Sequence, residues 1–136
     1  MRRRTQVRQS GFSLIELLMV IAILGIISTI ATPVLLQTRA KAVDAKALES
    51  LRAVCSAEFA YYAANGSFGS LAQLADPPAN GIKYLDARFL TGDLGNSIHA
   101  SLTANGQHFF AQCFATPQPP YHTYTADDSG LITETQ

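Results

Sequence analysis

The sequence predicts an α+β fold in which one long N-terminal helix packs, through its second half, on a small antiparallel sheet of three or four strands. Helical periodicity continues from Phe12 to about Ala64, and after Ser97 apolar and polar residues alternate as in half-buried strands. A helix followed by a run of strands is typical of the α+β class. Because the chain has 136 residues, we expect one domain with a small core.

The first half of this helix is expected to be apolar on every side. Residues 17–36 contain no charged side chain and would reach roughly 30 Å as a helix, which is enough to cross the hydrocarbon core of a bilayer. Glu16 lies at the N-terminal end of this run. An unpaired carboxylate in an apolar helix is costly, so Glu16 requires either a partner or a function.

The short tail before the apolar run sets its expected orientation. The tail carries four basic residues and no acid: Arg2, Arg3, Arg4 and Arg8. Such a tail favours a cytoplasmic N-terminus, with the rest of the chain exported. The run is longer than the roughly 7–15 apolar residues of a secretory signal, and no small-residue cleavage site follows it. We therefore expect a single-pass precursor in the inner membrane.

The boundary between the tail and the apolar run carries the motif Gly11-Phe12-Ser13-Leu14-Ile15-Glu16. This motif resembles the cleavage and methylation motif of type IV prepilins and their pseudopilin relatives. The resemblance is dense up to Pro33, looser through the following helix and faint in the C-terminal half. It implies that a membrane-embedded prepilin peptidase removes the leader 1–11 by cutting between Gly11 and Phe12. The same enzyme would methylate the new amino terminus on Phe12.

The resemblance also implies roles for the acid and for the apolar helix. Glu16 would meet the Phe12 amine of a neighbouring subunit, which neutralises charge in an apolar filament core and favours one docking register. Segment 12–36 would then serve first as a transmembrane anchor and later as the filament core. Pro33 lacks a backbone donor and predicts a kink. By the same resemblance, the helix between Gly25 and Pro33 can lose its helicity when it is packed into a filament.

Residues 37–65 are predicted to form the amphipathic second half of the helix, which ends at Asn65-Gly66 because glycine accepts the left-handed conformation. One apolar stripe at helical spacing is expected to face the sheet: Leu48, Leu51, Cys55, Phe59 and Tyr62. Charged residues on the other faces are expected to be solvated: Asp44, Lys46, Glu49, Arg52 and Glu58.

Segment 66–97 is predicted to be a connecting loop. Residues 70–75 are expected to form a short helical turn, which the following proline and glycine dipeptides terminate. Four apolar residues are expected to anchor this loop on the core: Tyr84, Leu85, Phe89 and Leu90.

Segment 98–136 is predicted to form the antiparallel sheet. Residues 98–104 and 107–116 alternate around Asn105-Gly106, a dipeptide that indicates a two-residue hairpin loop. The second of these strands has one face suited to packing on a helix: Phe109, Ala111, Cys113 and Ala115. Residues 121–126 and 131–135 are expected to pair around a turn at 127–130, which Asp127 and Asp128 cap.

The chain has two cysteines, Cys55 on the apolar helix stripe and Cys113 on the strand face that would meet it. The two periodicities favour a disulfide between them once the domain is exported, because an oxidising compartment permits the bond. Two buried free thiols remain the alternative, since cysteine is often a small core residue.

The residues that carry chemistry in other proteins form no recognisable site here. His99, His108 and His122 lack metal-ligand spacing and are explained by solvent-facing strand positions, and no motif marks a nucleophile with its base. We therefore expect no enzymatic activity, no metal and no cofactor. The basic residues after position 37 alternate with acids rather than forming a basic stripe, so nucleic-acid binding is not predicted.

The resemblance implies that the chain is a structural subunit of a type IV pilus serving adhesion, twitching motility or DNA uptake. Its expected partners are copies of itself and other pilins in a helical filament, the prepilin peptidase and methyltransferase, the inner-membrane pilus assembly machinery, and the membrane before assembly. The filament would be an extracellular pilus or a periplasmic fibre. One alternative is a pseudopilin of a type II secretion system, although the C-terminal end lacks an evident acid-rich calcium loop. The other is a single-pass anchor that displays a periplasmic binding module.

Overall fold

A computed structural model of the chain describes residues 11–77, 81–95, 97–116 and 122–135. It contains two α-helices, α1 (Leu14–Asn65) and α2 (Leu71–Ala75), and one 3-10 helix, Ala87–Thr91. Four strands follow: β1 (Ile98–Ala104), β2 (Phe109–Ala115), β3 (Thr123–Asp127) and β4 (Ile132–Thr135). The chain divides into two units, the first ending at Gln37 and the second beginning at Thr38, and the two are described separately.

The described part of the first unit consists of Gly11–Ser13 and the first half of α1. Helical structure is unbroken through Gly25 and Pro33. Its side chains are exposed throughout. The loss of helicity between Gly25 and Pro33 concerns the assembled filament, so it stays a prediction, as does the kink at Pro33.

The second unit contains a four-stranded antiparallel sheet in the order β1-β2-β3-β4. Each strand pairs with the next along the chain, with Ala100 opposite Cys113, Cys113 opposite Tyr124, and Tyr124 opposite Glu134. This confirms the predicted α+β class and the upper of the two predicted strand numbers.

The core of the second unit lies between one face of α1 and the inner face of the sheet. Leu51, Val54 and Cys55 are buried on the helix. On β2, alternate residues are buried, as the sequence predicts: Phe109, Ala111, Cys113 and Ala115. Most of the sheet side chains in this core are small, which lets the helix approach the sheet closely. Burial of each large aliphatic side chain contributes about 1.5–3 kcal/mol.

Three residues of the predicted core stripe and loop anchors lie differently from expectation. Phe59 and Tyr62 are 41% and 45% exposed, because the stripe drifts around the helix and places them at the edge of the core. Their rings nevertheless contact Phe68, with centroid distances of 6.1 and 4.6 Å. Leu90, predicted to anchor the connector, is 41% exposed, whereas Leu85 and Phe89 are buried as expected.

The loop of the first hairpin is also longer than the two residues predicted, because it spans 105–108. β2 begins at Phe109 rather than at Gln107. The reason is the side chain of Asn105, whose Oδ1 accepts hydrogen bonds from the backbone N–H groups of Gln107 and His108 at 3.1 and 2.8 Å. These bonds hold 105–108 as a turn instead of extending the ladder.

The connector contains the predicted helical turn, α2, which begins with reciprocal caps. The Ser70 hydroxyl accepts from the Gln73 backbone N–H, and the Gln73 side chain accepts from the Ser70 N–H at 2.8 Å. Leu74 is fully buried, and its carbonyl accepts hydrogen bonds from the N–H groups of Tyr84 and Leu85. These bonds attach the part of the connector around Tyr84 to the end of α2.

Candidate processing and assembly site

The motif predicted to be processed stands at the start of α1. Gly11, Phe12 and Ser13 precede the helix, and the carbonyl of Ser13 accepts hydrogen bonds from the N–H groups of Glu16 and Leu17 at 3.0 and 3.2 Å. Gly11 is exposed, and apart from its chain neighbours no atom of the described residues lies within 4 Å of the position a Cβ would occupy there. A peptidase could therefore reach the Gly11–Phe12 backbone without displacing a described side chain.

Glu16 lies in the first turn of α1 and is exposed. A carboxylate in this turn is favoured by the partial positive charge of the helix N-terminus. Glu16 forms no ion pair with any residue of the described ranges. Its carboxylate is therefore available to a cation from outside the described part of the chain.

Behind Glu16 the helix presents a continuous apolar surface. The large side chains of this surface are all exposed, each by 44% or more: Phe12, Leu14, Ile15, Leu17, Leu18, Met19, Val20, Ile21, Ile23, Leu24, Ile26, Ile27, Ile30, Val34, Leu35 and Leu36. An apolar surface of this extent marks a contact with lipid or with protein. Within the described residues α1 is the one helix long and apolar enough to span a membrane.

The polar side chains within this apolar stretch are satisfied inside the helix itself. Ser28 and Thr32 donate to the carbonyls of Leu24 and Ser28, and Thr29 donates to the carbonyl of Ile26, each at 2.7 Å. Hydroxyl groups that are bonded to their own helix can enter an apolar environment at low cost.

A comparison with known protein families points to the same segment. Residues 7–32 match the family described as the prokaryotic N-terminal methylation motif. The chain is also similar to the type IV major pilin protein PilA of Myxococcus xanthus (strain DK1622), with 31% identity over 78 residues. Over part of its length the chain is thus similar to a type IV pilin. The matched stretch is 57% of this chain but 36% of PilA, so the chain spans about a third of that relative's length. No solved structure matches the chain significantly.

The residues named for the pilin-like processing site therefore lie together at one end of α1, with the family match across them. The basic tail, with Arg2, Arg3, Arg4 and Arg8, lies outside the described residues. Cleavage after Gly11, methylation of Phe12 and the pairing of Glu16 stay predictions.

The two cysteines lie in the core of the second unit, on α1 and β2. Both are buried, and both are free thiols in the structure. Burial raises the pKa of the Cys113 thiol to about 12, with the nearby Cys55 adding to the effect. Burial also raises the pKa of Cys55, and the charges of Glu58 and Asp127 add to it. The pair thus shares one region of the core, as the two periodicities predict.

The three histidines lie in different surroundings. His99 stacks on Phe114 on the outer face of the sheet, with ring centroids 5.5 Å apart. His108 is exposed and pairs with Asp128 at 2.8 Å, and this hydrogen bond lowers the pKa of the Asp128 carboxyl. Asp127 Oδ1 accepts from the Ser129 N–H, which is the predicted turn cap.

His122 does not fit the expected solvent-facing strand position. It precedes β3 and is largely buried between two carboxylates, with its Nδ1 2.7 Å from Glu134 Oε1 and 3.6 Å from Asp44 Oδ2. Its backbone N–H also donates to Asp44 Oδ1 at 2.9 Å. Asp44, predicted to be solvated, therefore ties α1 to the sheet. In the described ranges no group of three or more potential ligands is placed to hold a metal ion.

Glu58 is the residue for which the sequence prediction was most clearly wrong. It was expected on a solvated face, yet its side chain is fully buried in the second unit. A signal was present, because Glu58 follows Leu51 by seven residues and Cys55 by three, which places it on their side of the helix. The charge of Glu58 predicts a solvated position, whereas its spacing from Leu51 and Cys55 predicts a buried one, and the spacing is correct.

Proposed function

We propose that the chain is a structural subunit of a type IV pilus filament, cleaved after Gly11, methylated on the amine of Phe12 and polymerised through the first half of α1. The observation that supports this most is the arrangement at the start of α1. An accessible Gly11–Phe12 bond precedes an exposed apolar helix and Glu16, which forms no ion pair within the described ranges. The family match over 7–32 and the similarity to a major pilin support the same function.

The proposed driving force for assembly is burial of the apolar surface of α1. Before assembly this surface lies in the inner membrane, with the N-terminus in the cytoplasm and the second unit exported. In the filament it packs against copies of itself and other pilins. Glu16 then pairs with the Phe12 amine of a neighbour, because an unpaired carboxylate in such surroundings would be strongly unfavourable. The prepilin peptidase and the inner-membrane assembly machinery are the further partners of this proposal.

The test is to shear surface fibres from cells and determine the N-terminus and mass of the chain within them. We expect a chain that begins at Phe12 and carries a methyl group on its amine. A Gly11→Val variant should keep its leader and be absent from the fibres, whereas Gly25→Val, a matched change within the helix, should still be cleaved. Surface fibres that contain the chain with residues 1–11 attached would contradict the proposal.

The same experiment separates the alternatives. A pseudopilin of a type II secretion system would be cleaved but confined to a periplasmic fibre, so it would be missing from the sheared fraction. A single-pass anchor of a periplasmic binding module would be indifferent to Gly11→Val. Adhesion, twitching motility and DNA uptake all require the surface fibre, so a sheared fibre is the first result to obtain.

We also propose that Cys55 and Cys113 form a disulfide after export. Both lie in one buried cluster, on elements that pack together. The two thiols would lose two protons and two electrons to a protein disulfide of the oxidising compartment, which becomes a dithiol. Because thiolates are the reactive form and burial raises the pKa of the Cys113 thiol, we expect the bond to form more readily before the core closes.

A further inference from the structure

Glu58 is a carboxyl group that is buried without a cationic partner in the described ranges. Its side chain is 0% exposed. One oxygen, Oε2, accepts a hydrogen bond from the backbone N–H of Gly69 at 3.0 Å, while the other, Oε1, has no hydrogen-bond partner among the described residues. A buried polar atom without a partner is uncommon and costs about 1–3 kcal/mol or more, so its retention calls for an explanation.

The partner of Glu58 belongs to the segment that leads from α1 to α2. Residues 66–70 connect the end of α1 to the Ser70 cap, and Gly69 in this segment is buried. Gly69 also lies tightly against the ring of Tyr61, because a Cβ built at Gly69 would lie 2.9 Å from Tyr61 Cε1. The ring of Tyr61 in turn contacts that of Tyr84, with a centroid distance of 5.7 Å. Glu58 therefore binds Gly69, and successive contacts lead from Gly69 through Tyr61 to Tyr84 in the connector.

These contacts border a groove of about 290 Å³ at the end of α1. Its lining includes Tyr61, Asn65, Gln73, Ile82 and Tyr84. The position of the Tyr61 ring, which packs on Gly69, therefore helps to set the shape of this groove.

The charged and titratable groups near Glu58 are acids. Cys55 lies one turn earlier on α1, and Asp127 lies on β3. Burial raises the pKa of the Cys55 thiol, and electrostatic interactions with the Glu58 and Asp127 side chains raise it further, which places these groups in one region. Residues 66–70 contribute no ionisable side chain. Within the described ranges no ion pair involves Glu58.

We propose that Glu58 is a proton-operated latch: in its neutral form it holds residues 66–70 and the Tyr61 ring against α1, and its ionisation releases them. The neutral form fits the observed surroundings because a buried carboxylate without a cation is unfavourable, whereas a protonated carboxyl is tolerated. Release exposes the carboxylate to water and opens the groove beside Tyr61.

The pKa direction agrees with this mechanism. Burial raises the pKa of the Glu58 carboxyl, and the hydrogen bond from Gly69 lowers it by less. A carboxyl whose pKa is raised in the closed state stabilises that state at low pH, and the stabilisation is lost as the pH rises through the raised value. The latch is therefore closed in acid and opens on the alkaline side of the Glu58 pKa.

The test measures amide hydrogen exchange of residues 66–70 in the full chain in detergent micelles, corrected for intrinsic exchange, from about pH 4 to about pH 8. Because one proton leaves on opening, the opening equilibrium should rise by up to about tenfold per pH unit between the ordinary and the raised pKa and then level off. In Glu58→Gln this dependence should vanish. In Glu49→Gln, which removes an exposed acid from the same helix, it should persist.

Two results would overturn the latch. The first is a wild-type exchange rate in 66–70 that, after correction, does not change with pH or changes equally in Glu58→Gln. The second is a carbon-13 titration in which the Glu58 carboxyl of the wild-type chain ionises at an ordinary carboxyl pKa. The titration requires no variant, so it decides the question even if Glu58→Gln fails to fold. Gly69→Ala should displace the Tyr61 ring and raise exchange at every pH.

Discussion

The two halves of α1 belong to one continuous helix but differ in the burial of their apolar side chains. In the first half every large apolar side chain from Leu14 to Leu36 is exposed, whereas in the second half Leu51, Val54 and Cys55 are buried against the sheet. Each half also contains one acid in an unusual position. Glu16 is exposed and heads an apolar surface, while Glu58 is fully buried.

The contrast shows that, in the described part of the chain, only the apolar surface of the second half is buried. The second half obtains its partner, the sheet, from the same chain. The large apolar side chains of the first half are exposed, and an apolar surface of this extent marks a contact with lipid or with protein. We expect changes in the two halves to be read out by different measurements, which the following predictions use.

The largest effect is expected at Glu16. If Glu16 pairs as proposed, replacing it with alanine would leave the Phe12 amine of a neighbouring subunit buried without a counter-charge, and breaking such a pair costs about 3–5 kcal/mol. We predict loss of surface fibres, measured by shearing and immunoblot, with normal cleavage and an unchanged melting temperature of the second unit. Glu49→Ala, an exposed acid on the second half, is the matched control. Fibres at wild-type abundance in Glu16→Ala would rule out the proposed pairing.

The next largest effect concerns the cysteines. A disulfide between Cys55 and Cys113 would close a loop long enough to stabilise the domain by about 4 kcal/mol. We predict that protein taken from fibres, unfolded without reductant, does not react with a maleimide at either thiol, and that reductant lowers its melting temperature. In Cys55→Ala the remaining Cys113 should react once unfolded. Labelling of both wild-type thiols without reductant would show that they stay free.

A core substitution tests the comparison between the halves directly. Leu51 is fully buried and Leu24 is 56% exposed. Leu51→Ala should lower the free energy of unfolding of the second unit by about 2–5 kcal/mol, because it removes buried methyl groups and leaves a cavity. Leu24→Ala should leave that free energy unchanged in detergent micelles and instead reduce filament yield. Equal effects of both substitutions on unfolding would refute the division of roles.

The sequence was a good guide wherever one physical signal acted alone. The uncharged run after Glu16, the alternation through β2 and the turn at 127–130 each follow from a single periodicity or turn preference, and the structure has them. The predictions failed where two signals competed. The charge of Glu58 masked its helical position, and the side chain of Asn105 took backbone donors that the strand pattern assigned to the ladder.

The polar contacts around His122, whose partners are distant in the chain, could not be predicted from the sequence. Asp44 accepts from the backbone of His122, 78 positions later, and Glu134 contacts the ring of the same histidine. No local pattern marks such contacts, because they depend on how the sheet meets the helix. The candidate processing site is the opposite case, since it consists of consecutive residues and its motif can be read directly.

The smallest predicted effect lies at the Ser70 cap of α2. Ser70→Ala removes a hydroxyl that accepts from the Gln73 N–H, and loss of such a cap typically costs about 1 kcal/mol. We expect a correspondingly small drop in the melting temperature and faster amide exchange in α2, with fibre yield unchanged. Ser56→Ala, an exposed serine on α1, should leave exchange in α2 at the wild-type rate. A fall in fibre yield in Ser70→Ala would mean that assembly also depends on the second unit, and the two halves of α1 would then be less independent than their burial indicates.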